Sequence, residues 1–236
     1  MMRTGAKRVI LAGTAAVFLT PLMAHGQVLV SEIMYNPAGA DGANPVSEWV
    51  EIYNSGAAPV DISGWRLDDE DSSDWAPFPA ETILGAGQVA VIIDSGFASA
   101  ETFRTEWSVP LEALVIAGAA GTLANTASPT NEVLVLLDGL DAIVDSANYE
   151  AGANGWPTST NGLSIYTLAL SQAGNDIGSN WALSAVGVDD GRNPSGTTYD
   201  IRDVGSPGHI PIPEPTSLSL LAAGGFVLLR RRRGRQ

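Results

Sequence analysis

The chain has no cysteine, only two histidines, and few basic side chains of any kind. Without thiols it forms neither disulfide bonds nor thiolate metal sites. Its histidines are His25 and His209, and its only lysine is Lys7, so residues 27–208 contain none of these residue types. The shortage excludes Ser-His-Asp triads, Cys-His pairs, Schiff-base lysines and histidine-ligated zinc from that segment.

The basic residues that do exist lie mostly near the two ends of the chain. Residues 27–208 hold four arginines against 25 carboxylates, which gives this segment a formal charge of −21. Such a field repels nucleic acid, whose binding depends on basic patches, so no nucleic-acid partner is expected. Divalent cations, or a matrix in which cations bridge acidic partners, suit this charge better. Solubility alone explains the acidic surface equally well.

The first 26 residues have the pattern of a secretory signal peptide. A basic region ends at Arg8, an apolar run covers residues 9–19, and the small residues Ala24 and Gly26 follow. This order is typical of a signal helix with a small-x-small cleavage site. We therefore predict export, with the mature chain beginning near Gln27.

The last 28 residues, 209–236, form a second short pattern. Its motif at 213–216 precedes an apolar run at 218–229 and a basic cluster at 230–235. Twelve helical residues rise about 18 Å, well short of the roughly 30 Å hydrocarbon core, which favours a transient membrane segment over a permanent span. Arginine is retained on the cytoplasmic side, so the tail end would stay inside while the body is outside. A simple C-terminal anchor is the alternative.

This order resembles the PEP-CTERM sorting signal of exported bacterial proteins. The resemblance implies an exosortase-type processing enzyme as a partner and removal of the tail. It also implies transient insertion into the inner membrane and a destination at the cell surface or in the extracellular matrix. The residues that carry it are Pro213, Glu214, Pro215, Arg230, Arg231, Arg232 and Arg233.

Between these ends the sequence reads as short strands separated by turns. Val50 and Ile52 share one face of a predicted half-buried strand, with Trp49, Glu51 and Tyr53 on the other. The segment from Ser99 to Trp107 is the one predicted helix, capped by Ser99. The predicted strands are 28–35, 48–54, 64–67, 88–94, 132–137, 141–147, 163–170 and 180–184.

Asp138-Gly139 predicts a tight antiparallel hairpin, because this dipeptide tolerates positive φ angles. Many short strands without alternating helices indicate an all-β fold, a β-sandwich of one domain over residues 27–208.

Three segments give this body a family resemblance: 31–37 (SEIMYNP), 48–54 (EWVEIYN) and 60–67 (VDISGWRL). Together they are similar to the opening of a lamin-tail domain, and the similarity continues to Gly205-Ser206-Pro207-Gly208. The resemblance implies an immunoglobulin-like sandwich and an interaction module without catalytic activity. A nuclease or phosphatase domain, which accompanies some bacterial relatives, is not expected here.

Carboxylates are the only residues left for catalysis or metal binding. Glu32 and Glu51 could serve as a glycosidase pair, which requires a cleft and a raised pKa. Read more simply, Glu32, Glu48 and Glu51 are outward-facing strand residues. A metal-dependent hydrolase is also open, although four arginines provide few cations to stabilise developing negative charge.

One acidic cluster is a speculative calcium site, since calcium accepts six to eight oxygen ligands in adaptable loops. A solvated acidic loop is the simpler interpretation, because the spacing is not that of an EF-hand. The cluster comprises Asp68, Asp69, Glu70, Asp71 and Asp74. No other cofactor is expected.

Two of the six tryptophans, Trp75 and Trp156, adjoin prolines in predicted loops and are candidate ligand contacts. Trp65 and Trp181, within apolar strand patterns, are expected in the core. The sequence therefore predicts an exported, non-enzymatic surface or matrix protein, whose partners are exopolysaccharide or surface proteins. A glycan- or calcium-binding adhesion module is the alternative.

Overall fold

A computed structural model describes residues 28–41, 45–69, 75–124, 133–149 and 152–211. Strands dominate these residues, and the helices are α1 (Ala100–Trp107) and α2 (Gln172–Asn175), with a 3₁₀ turn at Gly178–Asn180. Neither described helix is long and apolar enough to cross a membrane. The strands are β1 (Val28–Met34), β2 (Trp49–Asn54), β3 (Val60–Asp61), β4 (Arg66–Asp68), β5 (Ile83–Leu84), β6 (Val89–Ile93), β7 (Leu114–Ala117), β8 (Val133–Leu137), β9 (Ile143–Asn148), β10 (Ile165–Thr167) and β11 (Trp181–Leu183).

The described strands form two principal sheets and one small one. The large sheet has six strands in the order β11-β10-β1-β2-β6-β7, and the second sheet has the order β4-β8-β9. Strands β3 and β5 pair separately. Within the large sheet only β6 and β7 are parallel, and the other neighbours are antiparallel. This mostly-β arrangement confirms the predicted immunoglobulin-like sandwich.

The main core joins one face of the large sheet to the second sheet. Val50 and Ile52 of β2 belong to the same buried cluster as Leu134 and Leu136 of β8. Each residue alternates with one that points to the opposite face, because side chains alternate along a strand. Burial of this apolar surface is the main favourable contribution to folding.

The opposite face of the large sheet is also buried, so the prediction of a half-buried β2 is wrong. Helix α1 covers this face, and its Phe103 and Trp107 rings pack edge-on against Trp49 at centroid separations of 6.0 and 5.7 Å. The predicted helix and its cap are confirmed: Ser99 Oγ accepts from the Thr102 amide at 3.1 Å. Trp49 is consequently fully buried.

The β8–β9 connection is antiparallel, as predicted, but its turn differs from the expected one. Asp141, and not Gly139, has the positive φ, at 63°. The Asp138 carboxylate accepts from the amides of Leu140 and Ala142, so the loop is longer and β9 begins at Ile143. The connection is therefore a longer loop held by the Asp138 side chain, and not the tight two-residue turn that was predicted.

Candidate functional site

An irregularity in β1 brings two glutamates together on one face of the large sheet. Val30 lies opposite Ile52, and Glu32 lies opposite Glu51, so Ser31 is an extra residue without a partner in the ladder. Such a bulge shifts the alternation of side chains beyond it. Glu32 therefore leaves the face of Val30 and lies directly across from Glu51, on the side covered by α1.

The Glu32 carboxylate contacts polar groups from three distant positions of the chain. Ser206 donates to it twice, from its amide and its hydroxyl, both at 2.8 Å. Ser164 Oγ donates at 2.5 Å, and Ser184 Oγ, 3.3 Å from the carboxylate, donates at 2.6 Å to Ser164 Oγ. Three donors on one carboxylate satisfy a negative charge that has lost contact with water.

The Glu51 carboxylate holds the next residues of the same closing segment. It accepts from the Gly208 amide at 2.7 Å and from Ser31 Oγ at 2.7 Å. Ser31 is the bulged residue, so the irregularity that turned Glu32 also provides a donor for Glu51. We call Glu32, Glu51 and the segment Gly205–Gly208 the carboxylate clasp.

Gly205 lets the closing segment come this close. A Cβ atom added at position 205 would lie 2.7 Å from Trp49 Cζ2 and 3.2 Å from Glu32 Oε1. Gly205 also exchanges two backbone hydrogen bonds with Arg192, at 2.8 and 3.1 Å. The clasp therefore depends on a residue without a side chain at its tightest point.

Burial dominates the electrostatics of the clasp. Glu32 and Glu51 are each only 1% exposed. Burial raises the pKa of Glu32, and its hydrogen bonds oppose that rise. The pKa of Glu51 is raised well above its usual range, first by burial and then by the charge of Glu32. Since Glu32 has three donors and Glu51 two, Glu51 is the carboxyl of the pair that holds a proton more readily.

A second buried polar group joins the two sheets on the other side of the bulge. The Asp145 carboxylate of β9 accepts from the Val30 amide and from Asn175 Nδ2, each at 2.7 Å. Asn175 also donates to the Val30 carbonyl at 3.0 Å. Burial raises the pKa of Asp145 to about 7. The side chains of Asp145 and Asn175 thus satisfy both backbone groups of Val30.

The clasp holds the chain together and leaves no accessible acid and base. The interpretation of Glu32, Glu48 and Glu51 as outward-facing strand residues is wrong, because each is 1% exposed. Glu48 accepts from the Leu123 amide. The raised pKa that a glycosidase needs is present in Glu32 and Glu51, but both carboxylates are enclosed by protein donors.

The candidate ligand-binding tryptophans have their rings in the main core. Trp75 is 7% exposed and Trp156 is 6% exposed. The Trp156 ring packs on Trp181 with a centroid separation of 5.2 Å. A Cβ at Gly121 would lie 2.6 Å from Trp75 Cε2. Little of either ring surface is therefore exposed for a sugar to stack on. Trp65 and Trp181 are buried, as expected.

The acidic cluster is only partly visible. Asp68 pairs with Arg66 at 3.9 Å, and Asp69 is 4% exposed. Glu70, Asp71 and Asp74 lie outside the described residues, as do Ala24, Gly26 and the sorting motif from Pro213 to Arg233. Among the residues that the structure describes, no group of three or more metal-ligating side chains is suitably placed. The calcium site stays a prediction.

Sequence reasoning missed the donors of the clasp and the Asp145 bridge. Ser206 is 174 residues from Glu32, and no local pattern links them. One signal was available: Glu32 and Glu51 are flanked by apolar residues on strands whose two faces both carry large side chains. A carboxylate in such a strand is buried and requires donors.

Comparison with known proteins addresses the family directly. A search of curated proteins finds no match. A family model described as Lamin Tail Domain matches residues 21–151, more than half of the 236-residue chain. The match includes Glu32 and Glu51 but ends before Ser164 and Ser206, the donors that close the clasp. The chain belongs to the lamin tail domain family, whose members are non-catalytic, immunoglobulin-like domains.

Proposed function

We propose that this chain is an exported, non-enzymatic structural or interaction protein of the cell surface or extracellular matrix. The observation that carries the non-enzymatic part is the burial of Glu32 and Glu51, whose oxygens are already bound to the closing segment. A general acid must reach its substrate within hydrogen-bond distance, and these two groups are enclosed by the protein.

Sequence features support the destination. The basic-apolar-small order of residues 1–26 favours export, and the pattern at 213–235 favours sorting by an exosortase-type enzyme. A body with 25 carboxylates and four arginines suits a hydrated, cation-rich matrix. A domain stabilised by burial and buried hydrogen bonds, without disulfides, suits a structural role in any redox environment.

The test is production of the full chain in a host with an exosortase-type system, followed by fractionation and intact-mass measurement. We expect a surface or matrix species that begins near Gln27 and lacks Arg230–Gln236. The control replaces Pro213, Glu214 and Pro215 by alanine and should keep the tail. Full-length chain in the cytosol would overturn the proposal, as would hydrolysis of a glycan or phosphodiester panel by the purified protein.

A further inference from the structure

The outer edge of the large sheet is formed by β7, which has a neighbouring strand on one side only. The Gly118 amide donates to the Ile93 carbonyl of β6 at 2.9 Å, which fixes the direction of the backbone groups. Because these groups alternate along a strand, Leu114 and Ile116 also face β6, whereas Val115 and Ala117 face away. Within the described ranges, no protein group hydrogen-bonds the N–H or C=O of Val115 or Ala117.

A groove lined by both apolar and polar residues adjoins this edge. Its volume is about 520 Å³, and its lining includes all four residues of β7 together with Ile83 of β5 and Leu111. Ile83 is 49% exposed and Leu111 is 87% exposed. Strand edges that natural proteins protect carry charged residues, proline or a covering loop, and β7 itself carries no charge and no proline. Unpaired backbone next to apolar walls is the geometry of strand addition.

The charge of the groove and of the chain determines which kind of peptide segment could bind in the groove. The one cation in the groove lining, Arg104, is turned toward the body, where it donates to the carbonyls of Pro110 and Ala113. The exposed carboxylate of Glu81 also lines the groove. With a formal charge of −21 over residues 27–208, a second copy of this chain would be repelled and a basic segment attracted.

We propose that the β7 edge binds an extended segment of another protein in which apolar and basic residues alternate. The segment adds to the sheet as a new outer strand, hydrogen-bonding the outward groups of Val115 and Ala117. Its apolar side chains fill the groove between Ile83 and Leu111. The inference rests on the interaction role proposed above and names the surface and the chemistry of the partner.

The probe is a fluorescent seven-residue peptide in which lysine and valine alternate, titrated into the full-length chain by polarisation. The variant Ala117→Pro removes an outward N–H that has no internal partner, so the fold is retained while one hydrogen bond to the peptide is lost. We expect binding to weaken about three- to tenfold, in line with the loss of one hydrogen bond. The matched control, Ala117→Val, keeps the N–H and should stay within about twofold of the unmodified chain.

Two further measurements keep the proposal testable if Ala117→Pro fails to fold. In the unmodified chain, the peptide should slow hydrogen exchange at the Val115 and Ala117 amides, and Ile83→Ser should weaken binding. Equal binding by Ala117→Pro, unchanged exchange, or equal binding of a glutamate-valine peptide would overturn the proposal. So would self-association of the chain that Ala117→Pro abolishes, since the edge would then belong to a second copy. Each of these failures is distinguishable from a failure of export, which is measured by fractionation.

Discussion

Glu32 and Glu51 lie directly opposite each other and have identical side chains, but they accept different numbers of hydrogen bonds. Glu32 accepts three hydrogen bonds, two of them from Ser206, whereas Glu51 accepts two. The number of donors decides which carboxylate keeps its charge, because each donor offsets part of the cost of burying a negative group. Glu51 is therefore the member of the pair that holds a proton more readily, and its pKa is raised further by the charge of Glu32.

This difference predicts unequal effects of the two glutamine substitutions. Glu32→Gln places an amide group against hydroxyl and N–H donors and should lower the free energy of unfolding by about 2–3 kcal/mol. Glu51→Gln resembles the protonated acid: its carbonyl can accept from the Gly208 amide while its NH₂ donates to Ser31. We expect a loss below about 1 kcal/mol. Urea denaturation at pH 7 measures both.

The decisive result is which of the two glutamine variants loses more free energy of unfolding. A larger loss in Glu51→Gln than in Glu32→Gln would place the charge on Glu51 and contradict the assignment. Ser31→Ala serves as a matched control, because it removes a donor to Glu51 without altering any contact of Glu32. Its effect should be confined to about 1 kcal/mol, the usual contribution of one neutral hydrogen bond.

At the scale of the element, helix α1 is short, and its position depends on both of its ends. Eight residues are too few for a helix to be stable alone, so packing of Phe103 and Trp107 and the Ser99 cap must hold it. Within the last turn of the helix, Glu106 accepts from the amides of Thr198 and Tyr199, which ties the segment before the clasp to α1. The helix thus supports both the second face of the sheet and the approach to the closing segment.

Ser99→Ala should therefore lower the free energy of unfolding by about 1 kcal/mol, the usual cost of losing an N-cap side chain. Ser99→Asp is the matched control, since a carboxylate accepts from the Thr102 amide and also favours the positive end of the helix. It should match the unmodified chain to within about 0.5 kcal/mol. Thermal unfolding followed by tryptophan fluorescence checks both, and a Ser99→Ala variant as stable as the unmodified chain would show that the cap contributes nothing.

The elements also show what the sequence could and could not predict. The strands around Val50 and Ile52 and the helix capped by Ser99 were predictable, because alternation and capping are local patterns. The bulge at Ser31 was not, since it follows from pairing with β2 and from donors more than a hundred residues away. Strand β7 was missed because a four-residue run, Leu114–Ala117, next to a parallel neighbour has no hairpin signal. The candidate site followed from these non-local pairings and could not be assembled without them.

At the scale of the whole molecule, four buried carboxylates have a raised pKa. Burial raises the pKa of Glu32 and Glu51, of Asp145 to about 7, and of Asp203 to about 6. In the unfolded chain such groups titrate near about 4. The folded state therefore binds more protons than the unfolded state at mildly acidic pH, and protons stabilise it.

Stability should consequently fall as the pH rises from 5 to 8. A group whose folded pKa is raised contributes fully below its unfolded pKa and loses that contribution as the pH passes through the folded pKa. Asp203 loses its contribution near pH 6 and Asp145 near pH 7. We expect the melting temperature to be higher at pH 5 than at pH 8, measured by calorimetry at constant ionic strength. General repulsion among the many surface carboxylates acts in the same direction, so a variant is needed to separate the two causes.

The variant Asp145→Asn separates the effect of buried carboxylates from that of surface repulsion. It removes one titrating group from the interior while leaving the surface charge almost unchanged. An amide oxygen in the place of Oδ2 can still accept from both the Val30 N–H and Asn175 Nδ2, so the variant resembles the protonated acid. Its melting temperature should then change less between pH 6 and 8 than that of the unmodified chain. Asp190→Asn, at an exposed position with a left-handed backbone that asparagine tolerates, should keep the original slope. Equal slopes in all three proteins would mean that surface repulsion alone sets the pH dependence and that Asp145 is charged in the folded state throughout this range.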